Sequence, residues 1–338
     1  MTVTYNIKTY ADALVPKPKV GYLVEKILPA GSLSIWYGYP GSLKSNLVMD
    51  MAMAIATGSH FLPALPNSPG NFIGYKTVQC PVLWIDLDNG EDVVEERIRA
   101  FGSVYGADPG TPFFYMPYPF IQAISPRSMD NLYRFIASLP IVPKFIILDT
   151  LLRAAKVKDE NSSEMDTVMF NIHKLAEDLK ATMALISHSN KVNTGRAGNA
   201  LRGHSSIEGG VDFVFRVERN GNKDLVEVKN EKSRRKPVNP FGARWTYDSD
   251  PISDELQKAR FYFESGVKIS KQQQTINTLM GQIRNLLEIE GKLNKSEIYS
   301  RIKGNRPTFE KALEQAVIDG HIIEQPGLFN NSKVYEAP

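Results

Sequence analysis

Between residues 32 and 187 the chain alternates short runs that are apolar at successive positions with longer segments whose apolar residues recur at helical spacing. Runs at Ser32–Tyr37, Pro81–Leu87, Phe113–Met116, Lys144–Asp149 and Met183–Ser187 predict strands. Between them, helices are predicted over Lys44–Thr57, closed by Gly58, and near Glu91–Phe101, Met129–Ser138 and Ser162–Leu179. Strands that are apolar on both faces and separated by helices predict a buried parallel sheet, hence an α/β layer fold. From Val211 the pattern changes to strands without intervening helices, Val211–Val217, Leu225–Lys229, Ala243–Tyr247 and Ala259–Phe263, which read as an antiparallel extension of that sheet.

A polar stretch over 264–275 reads as a linker between a main domain at 31–263, preceded by a lead-in segment at 1–30, and a small domain at 276–338. In the small domain, helices are predicted from Ile276 to Ile289, from a cap at Asn294 or Ser296, and from Pro307 to Asp319. Phe309, Ala312, Leu313, Ala316 and Val317 make one apolar face of the last helix. His321–Glu324 and Lys333–Glu336 then flank a turn-rich stretch, as in a hairpin. Three helices and a hairpin resemble a winged helix, a form of helix-turn-helix.

Composition narrows the picture only a little. At 42% apolar and 23% charged residues the chain is that of an ordinary globular protein, and a net charge of +3 permits nucleic acid as a partner only through local clusters. No apolar run approaches the roughly 20 residues of a membrane helix. The single cysteine, Cys80, excludes an internal disulfide and a cysteine-based zinc site, and the start of the chain has no signal-peptide pattern, so a cytoplasmic location is expected.

The first candidate for chemistry is Gly38-Tyr-Pro-Gly-Ser-Leu-Lys-Ser45, which matches the phosphate-binding pattern G-x-x-x-x-G-K-[ST] except that Leu43 replaces the second glycine. It follows a predicted buried strand and opens a predicted helix, where backbone N–H groups and the helix dipole hold an anion. Gly38, Pro40, Gly41, Ser42, Leu43, Lys44, Ser45 and Asn46 are therefore the expected nucleotide contacts. Lys44 would serve the β- and γ-phosphates, and the Ser45 hydroxyl would serve Mg²⁺. Asp149, ending the run Phe145-Ile-Ile-Leu-Asp149, supplies the carboxylate that such a site needs near the metal.

The segments "LPAGSLSIWYGYPGSLKS", "VLWIDLDNGEDVVEERI", "FIILDTLLRA", "ALISHSNK" and "ALRGHSSIEGGVDFVFRV", in this order and spacing, resemble the RecA-like ATPases, in the branch of plasmid RepA helicases, KaiC and DnaB. The resemblance covers about two-thirds of the chain. It implies an ATP- and Mg²⁺-using enzyme that assembles into a ring or filament, with sites between subunits. It implies a water-orienting carboxylate at Asp88, with Glu91 and Asp86 as alternatives, although the family carries a glutamate there. It implies a γ-phosphate sensor at His188 and cations given to a neighbouring subunit's site by Lys232 and Arg234, with Arg235 as the alternative in a shifted register.

Lys191, Arg196 and Arg202, spaced among glycines after His188, suit a loop reaching the phosphates of a single DNA strand in a ring's channel. Lys303, Arg306 and Lys311 are the candidate duplex contacts of the small domain, although Glu310, Glu314 and Gln315 make its third helix mixed in charge. The sequence thus reads as a RecA-like P-loop ATPase acting on DNA, a hexameric helicase or replication factor of a plasmid, phage or other mobile element. The alternative is a regulatory ATP-binding assembly that hydrolyses slowly and switches protein partners.

Overall fold

A computed structural model of the chain describes residues 7–16, 21–66, 72–157, 164–188, 205–219, 224–264, 271–302, 305–318, 322–327 and 332–337. The chain divides into two compact units, Met1–Ser265 and Gly266–Pro338.

The larger unit runs α1 (Tyr10–Leu14), β1 (Tyr22–Val24), β2 (Leu28–Pro29), β3 (Leu33–Gly38), α2 (Lys44–Thr57), β4 (Val82–Asp86), α3 (Glu91–Tyr105), β5 (Phe113–Pro117), α4 (Pro126–Ala137), β6 (Phe145–Asp149), α5 (Leu151–Ala155), α6 (Glu164–Leu179), β7 (Thr182–His188), α7 (Ser205–Gly210), β8 (Phe213–Arg219), β9 (Leu225–Ser233), β10 (Phe241–Ser249) and β11 (Leu256–Glu264). Among the described residues, nine strands form one sheet in the order β11-β10-β9-β8-β3-β7-β6-β4-β5. The pairs from β8 to β5 are parallel, and β8–β9, β9–β10 and β10–β11 are antiparallel. This is the expected α/β architecture, a large and mostly parallel sheet with an antiparallel extension.

Each central strand is buried along its whole length because both faces are covered. One face packs Trp36, Trp84, Ile147, Ile186 and Phe215 under α2 and α3; the other packs Ile35, Leu83, Ile146, Leu148 and Leu185 under α4 and α6. Helix α2 packs against β3, α3 and β11, so its side chains from Leu47 to Ala56 are all buried. That explains a helix that is apolar all round. Gly58 closes it at φ 73°, donating its N–H to the Ala54 and Ile55 carbonyls.

Three local features were not legible in the sequence. Leu23, Val24, Ile27 and Leu28, from the segment read as a lead-in, are buried in the first core cluster, and Val24 bridges to Thr77. The short helices α5 and α7 have too few residues to show a periodicity. The first helix of the small unit begins at Lys271 rather than Ile276, because Lys271-Gln-Gln-Gln is polar yet contains no helix breaker.

The smaller unit contains α8 (Lys271–Glu290), β12 (Leu293–Asn294), α9 (Lys295–Arg301), α10 (Arg306–Ile318), β13 (Ile323–Pro326) and β14 (Lys333–Glu336), with a three-stranded sheet ordered β12-β14-β13. Asn294 caps α9 in a reciprocal box with Glu297. Phe309, Ala312, Leu313 and Ala316 are buried with Ile283, Ile298 and Tyr335 around them, and Val317 packs against that core.

Candidate active site

The parallel strands deliver the predicted residues to one edge of the sheet, beyond their C-terminal ends. β3 ends at Gly38, beside His188 of β7, while Asp149 of β6 stands in register with Asp86 of β4. Two glycines shape the loop after β3. A Cβ on Gly38 would collide with the Val217 carbonyl oxygen, and Gly41 holds φ at 79°. Pro40 and Gly41 are exposed; Ser42 is buried, and its hydroxyl has no hydrogen-bond partner. Leu43 is the N-cap of α2 with φ 62° and ψ 18°, the left-handed conformation in which glycine is unstrained. The leucine is half-buried, packed against the core cluster that contains α2, and that burial offsets the backbone cost.

Lys44 opens α2 and is only 4% exposed. Its Nζ lies 3.0 Å from Nδ1 of His188. Burial lowers the lysine pKa, and the Asp149 and Asp88 carboxylates oppose that shift. Burial, then the Lys44 charge, lowers the pKa of His188. A neutral imidazole that accepts from Lys44 at Nδ1 carries its proton on Nε2, which faces Oδ2 of Asp88 at 3.9 Å. The other carboxylate oxygen of Asp88 accepts from Nε of Arg153 at 3.0 Å.

Asp149 is 1% exposed, and its Oδ2 has no hydrogen-bond partner. Burial, and then the neighbouring Asp86 charge, pushes its pKa up to about 7; the Ser45 hydroxyl and the Lys44 ammonium act in the opposite direction. An acceptor-only oxygen without a donor, close to a hydroxyl, suits a hard dication, so Ser45 and Asp149 fit Mg²⁺. Among the described residues no group of three His, Cys, Asp or Glu side chains is placed to hold a metal by itself. A Mg²⁺ ion here would complete its shell with water and substrate phosphates, as Mg²⁺ commonly does.

Asp86 is equally buried but fully occupied. It accepts from Trp84 Nε1, from the backbone N–H of Asp88 and Asn89, and from the Asn89 side chain, at 2.8–3.2 Å. It shapes the turn that carries Asp88 and offers no open oxygen. Glu91 is exposed at the start of α3, and Asn46 is half-buried in the first turn of α2.

Lys232 and Arg234 lie elsewhere. Ser233 pairs with Phe213, which pairs with Ser34, four residues before Gly38 at the far end of β3. That is roughly 13 Å along the strands and roughly 10 Å across them. Within this chain Lys232 Nζ donates to the Glu208 carbonyl and Arg234 to the Gly209 carbonyl of α7, with Asp212 3.7 Å from Arg234. Lys191, Arg196, Arg202 and Lys303 fall outside the described residues. Arg306 lies over the Tyr299 ring and 3.6 Å from Glu310, while Lys311 is exposed on α10.

Arg153 is the site residue that sequence reasoning missed. The only available signal was a cation four positions after Asp149, and nothing in a linear pattern joins it to Asp88, 65 residues away.

Among the described residues no helix is long and apolar enough to cross a membrane. A search of curated proteins found no match. Among solved structures, the chain is similar to the ATPase domain of G40P, with 12% identity and a TM-score of 0.49 over 67% of this chain and 84% of that one. It is also similar to the RadB recombinase, with 15% identity and a TM-score of 0.45 over 64% and 88%. A DnaB-like replicative helicase matches with 14% identity and a TM-score of 0.48 over 64% of this chain and 56% of that one. Residues 4–194, more than half of the 338, match the AAA domain family, and the chain belongs to that family.

Proposed function

We propose that this ATPase domain is a DNA-dependent motor that works as a ring, a hexameric helicase or a replication factor of a plasmid, phage or other mobile element. The observation that carries the hydrolytic part is the convergence of Lys44, Ser45 and Asp149 from two strand ends, with one Asp149 oxygen left open. Backbone N–H groups of 41–45 and the Lys44 ammonium hold and neutralise the phosphates. When bound, Mg²⁺ supplies charge neutralisation of the β- and γ-phosphoryl oxygens. Asp88 orients the attacking water, and His188, bonded to Lys44 and facing Asp88, registers whether a γ-phosphate has entered.

Assembly is supported by the placement of Lys232 and Arg234. They cannot reach the loop of their own chain, so a part in phosphoryl transfer requires a neighbour's site. DNA contact is supported by the cations at 191, 196 and 202 in the stretch that follows the sensor strand. We assign the small unit as a winged helix on its helix, strand and hairpin order. Arg306 and Lys295 both pair with Glu310, in keeping with the mixed charge of the third helix of that unit.

The test is ATP turnover with and without single-stranded DNA, on the native chain and on Lys44→Ala, with oligomeric state measured in a non-hydrolysable ATP analogue. DNA-stimulated turnover by a ring supports the motor. Slow turnover indifferent to DNA supports the regulatory assembly instead, which is favoured by one observation: position 88 carries an aspartate, one methylene shorter than a glutamate. Normal hydrolysis by Lys44→Ala would sink both readings.

A further inference from the structure

We propose that Arg153 is the positioning residue for Asp88, fixing the orientation of its carboxylate toward His188. The inference rests on the hydrolytic reading of the site. Asp88 sits in the turn after β4, where its backbone N–H donates to Asp86 at 3.0 Å, so its backbone is anchored. Its side chain is two-thirds buried and has staggered alternatives about χ1, of which one faces His188. Arg153 selects that one. Its Nε donates to Oδ1 at 3.0 Å, leaving Oδ2 toward Nε2 of His188.

The origin of the arginine matters. α5 starts two residues after Asp149, and the Asp149 carbonyl accepts from Leu87 N–H at 2.6 Å, so the two turns are tied together through their backbones. Arg153 therefore references Asp88 to the same backbone that places the metal-binding carboxylate. A pair this exposed, with the arginine side chain 61% accessible, adds little to folding stability, so its worth lies in orientation. Misplacing a group that must meet a reacting atom within a few tenths of an ångström costs up to about 100-fold in rate.

The experiment is steady-state ATP hydrolysis together with direct binding of a non-hydrolysable ATP analogue, on the full chain and on Arg153→Ala, Arg153→Lys, Asp88→Asn and the Arg153→Ala/Asp88→Asn double variant. Arg153→Ala is expected to lower kcat about 10- to 100-fold while KM and analogue affinity stay within about twofold. Arg153→Lys recovers part of the rate, since it restores the charge but not the planar fork. The double variant is no slower than Asp88→Asn, because the arginine has nothing left to position. An unchanged or raised kcat in Arg153→Ala, beside a slow Asp88→Asn, overturns the positioning role alone. A loss of analogue affinity in step with kcat overturns it in favour of direct nucleotide contact. Full-rate hydrolysis by Asp88→Asn overturns the underlying assignment of the water-orienting carboxylate.

Discussion

β4 and β6 are neighbours in the sheet, and each ends on an aspartate; the two stand opposite each other in register and are 1% exposed. Asp86 receives donors from an indole, two backbone amides and a side-chain amide. Asp149 keeps one oxygen with no partner, and burial pushes its pKa up to about 7. One carboxylate thus spends its capacity on a turn, while the other keeps an acceptor oxygen open. Burial alone does not distinguish the two acids, but hydrogen-bond accounting does.

Substituting each acid in turn tests that contrast most severely. Asp149→Asn is expected to reduce Mg²⁺-dependent ATP turnover by a factor of about 10² to 10³, a loss comparable to that of Lys44→Ala. The same change should raise the melting temperature of the nucleotide-free protein near pH 8, because it removes a buried, poorly partnered charge. Asp86→Asn should do the reverse, lowering stability by about 1–3 kcal/mol as its amide group meets donors rather than acceptors. If both variants shift stability in the same direction, the distinction between the two acids fails.

The pH dependence sharpens it. The folded pKa of Asp149 lies above its unfolded value, so its contribution to stability is fully present below the unfolded pKa of 3.8 and is lost as pH rises through about 7. Asp50, fully buried on α2 with its pKa also pushed up to about 7 by burial, shares the window. Thermal melts of the nucleotide-free chain between pH 4 and 8.5 should therefore show declining stability from these two groups, and Asp149→Asn should retain only the share of Asp50. A parallel profile in native and variant chains would argue against the raised Asp149 value.

A test of the assembly belongs to the turn after β9. Arg234→Ala is expected to lower turnover about 10- to 100-fold in the assembled protein, less than Asp149→Asn, while leaving nucleotide binding by the isolated chain unchanged. Equal loss in both would place the arginine in its own chain's site, against the distances across β8 and β9.

The smallest expected effect is that of Leu43→Gly. Relief of the left-handed backbone is worth about 1–2 kcal/mol, and loss of the half-buried leucine costs a similar amount, so stability should move by less than about 1 kcal/mol. Affinity for an ATP analogue should stay within about threefold. A large loss would show that the leucine side chain sets the loop's shape.

How much of this was legible beforehand follows the range of each interaction. The boundaries of α2, Lys44–Thr57 with Gly58 as its cap, are visible because a glycine-rich loop precedes the apolar run and a glycine ends it. The core role of Leu23–Leu28 is not, since a strand of two or three residues has no period to read. Lys44, Ser45 and Asp149 announce themselves by residue type at the ends of apolar runs. The divergence of Asp86 from Asp149 does not, as both are aspartates ending buried strands.

The sequence by itself determined the alternation of strands and helices, the loop that opens α2, and the kinds of groups gathered near it, because those depend on local periodicity and short spacings. Only the tertiary structure decided which aspartate is left open, that Arg153 hydrogen-bonds Asp88, that Leu43 is tolerated through burial, and that Lys232 and Arg234 sit at the opposite end of the strands from the loop that opens α2. These are outcomes of strand order and register, which bring together residues far apart in the chain and which no local pattern encodes.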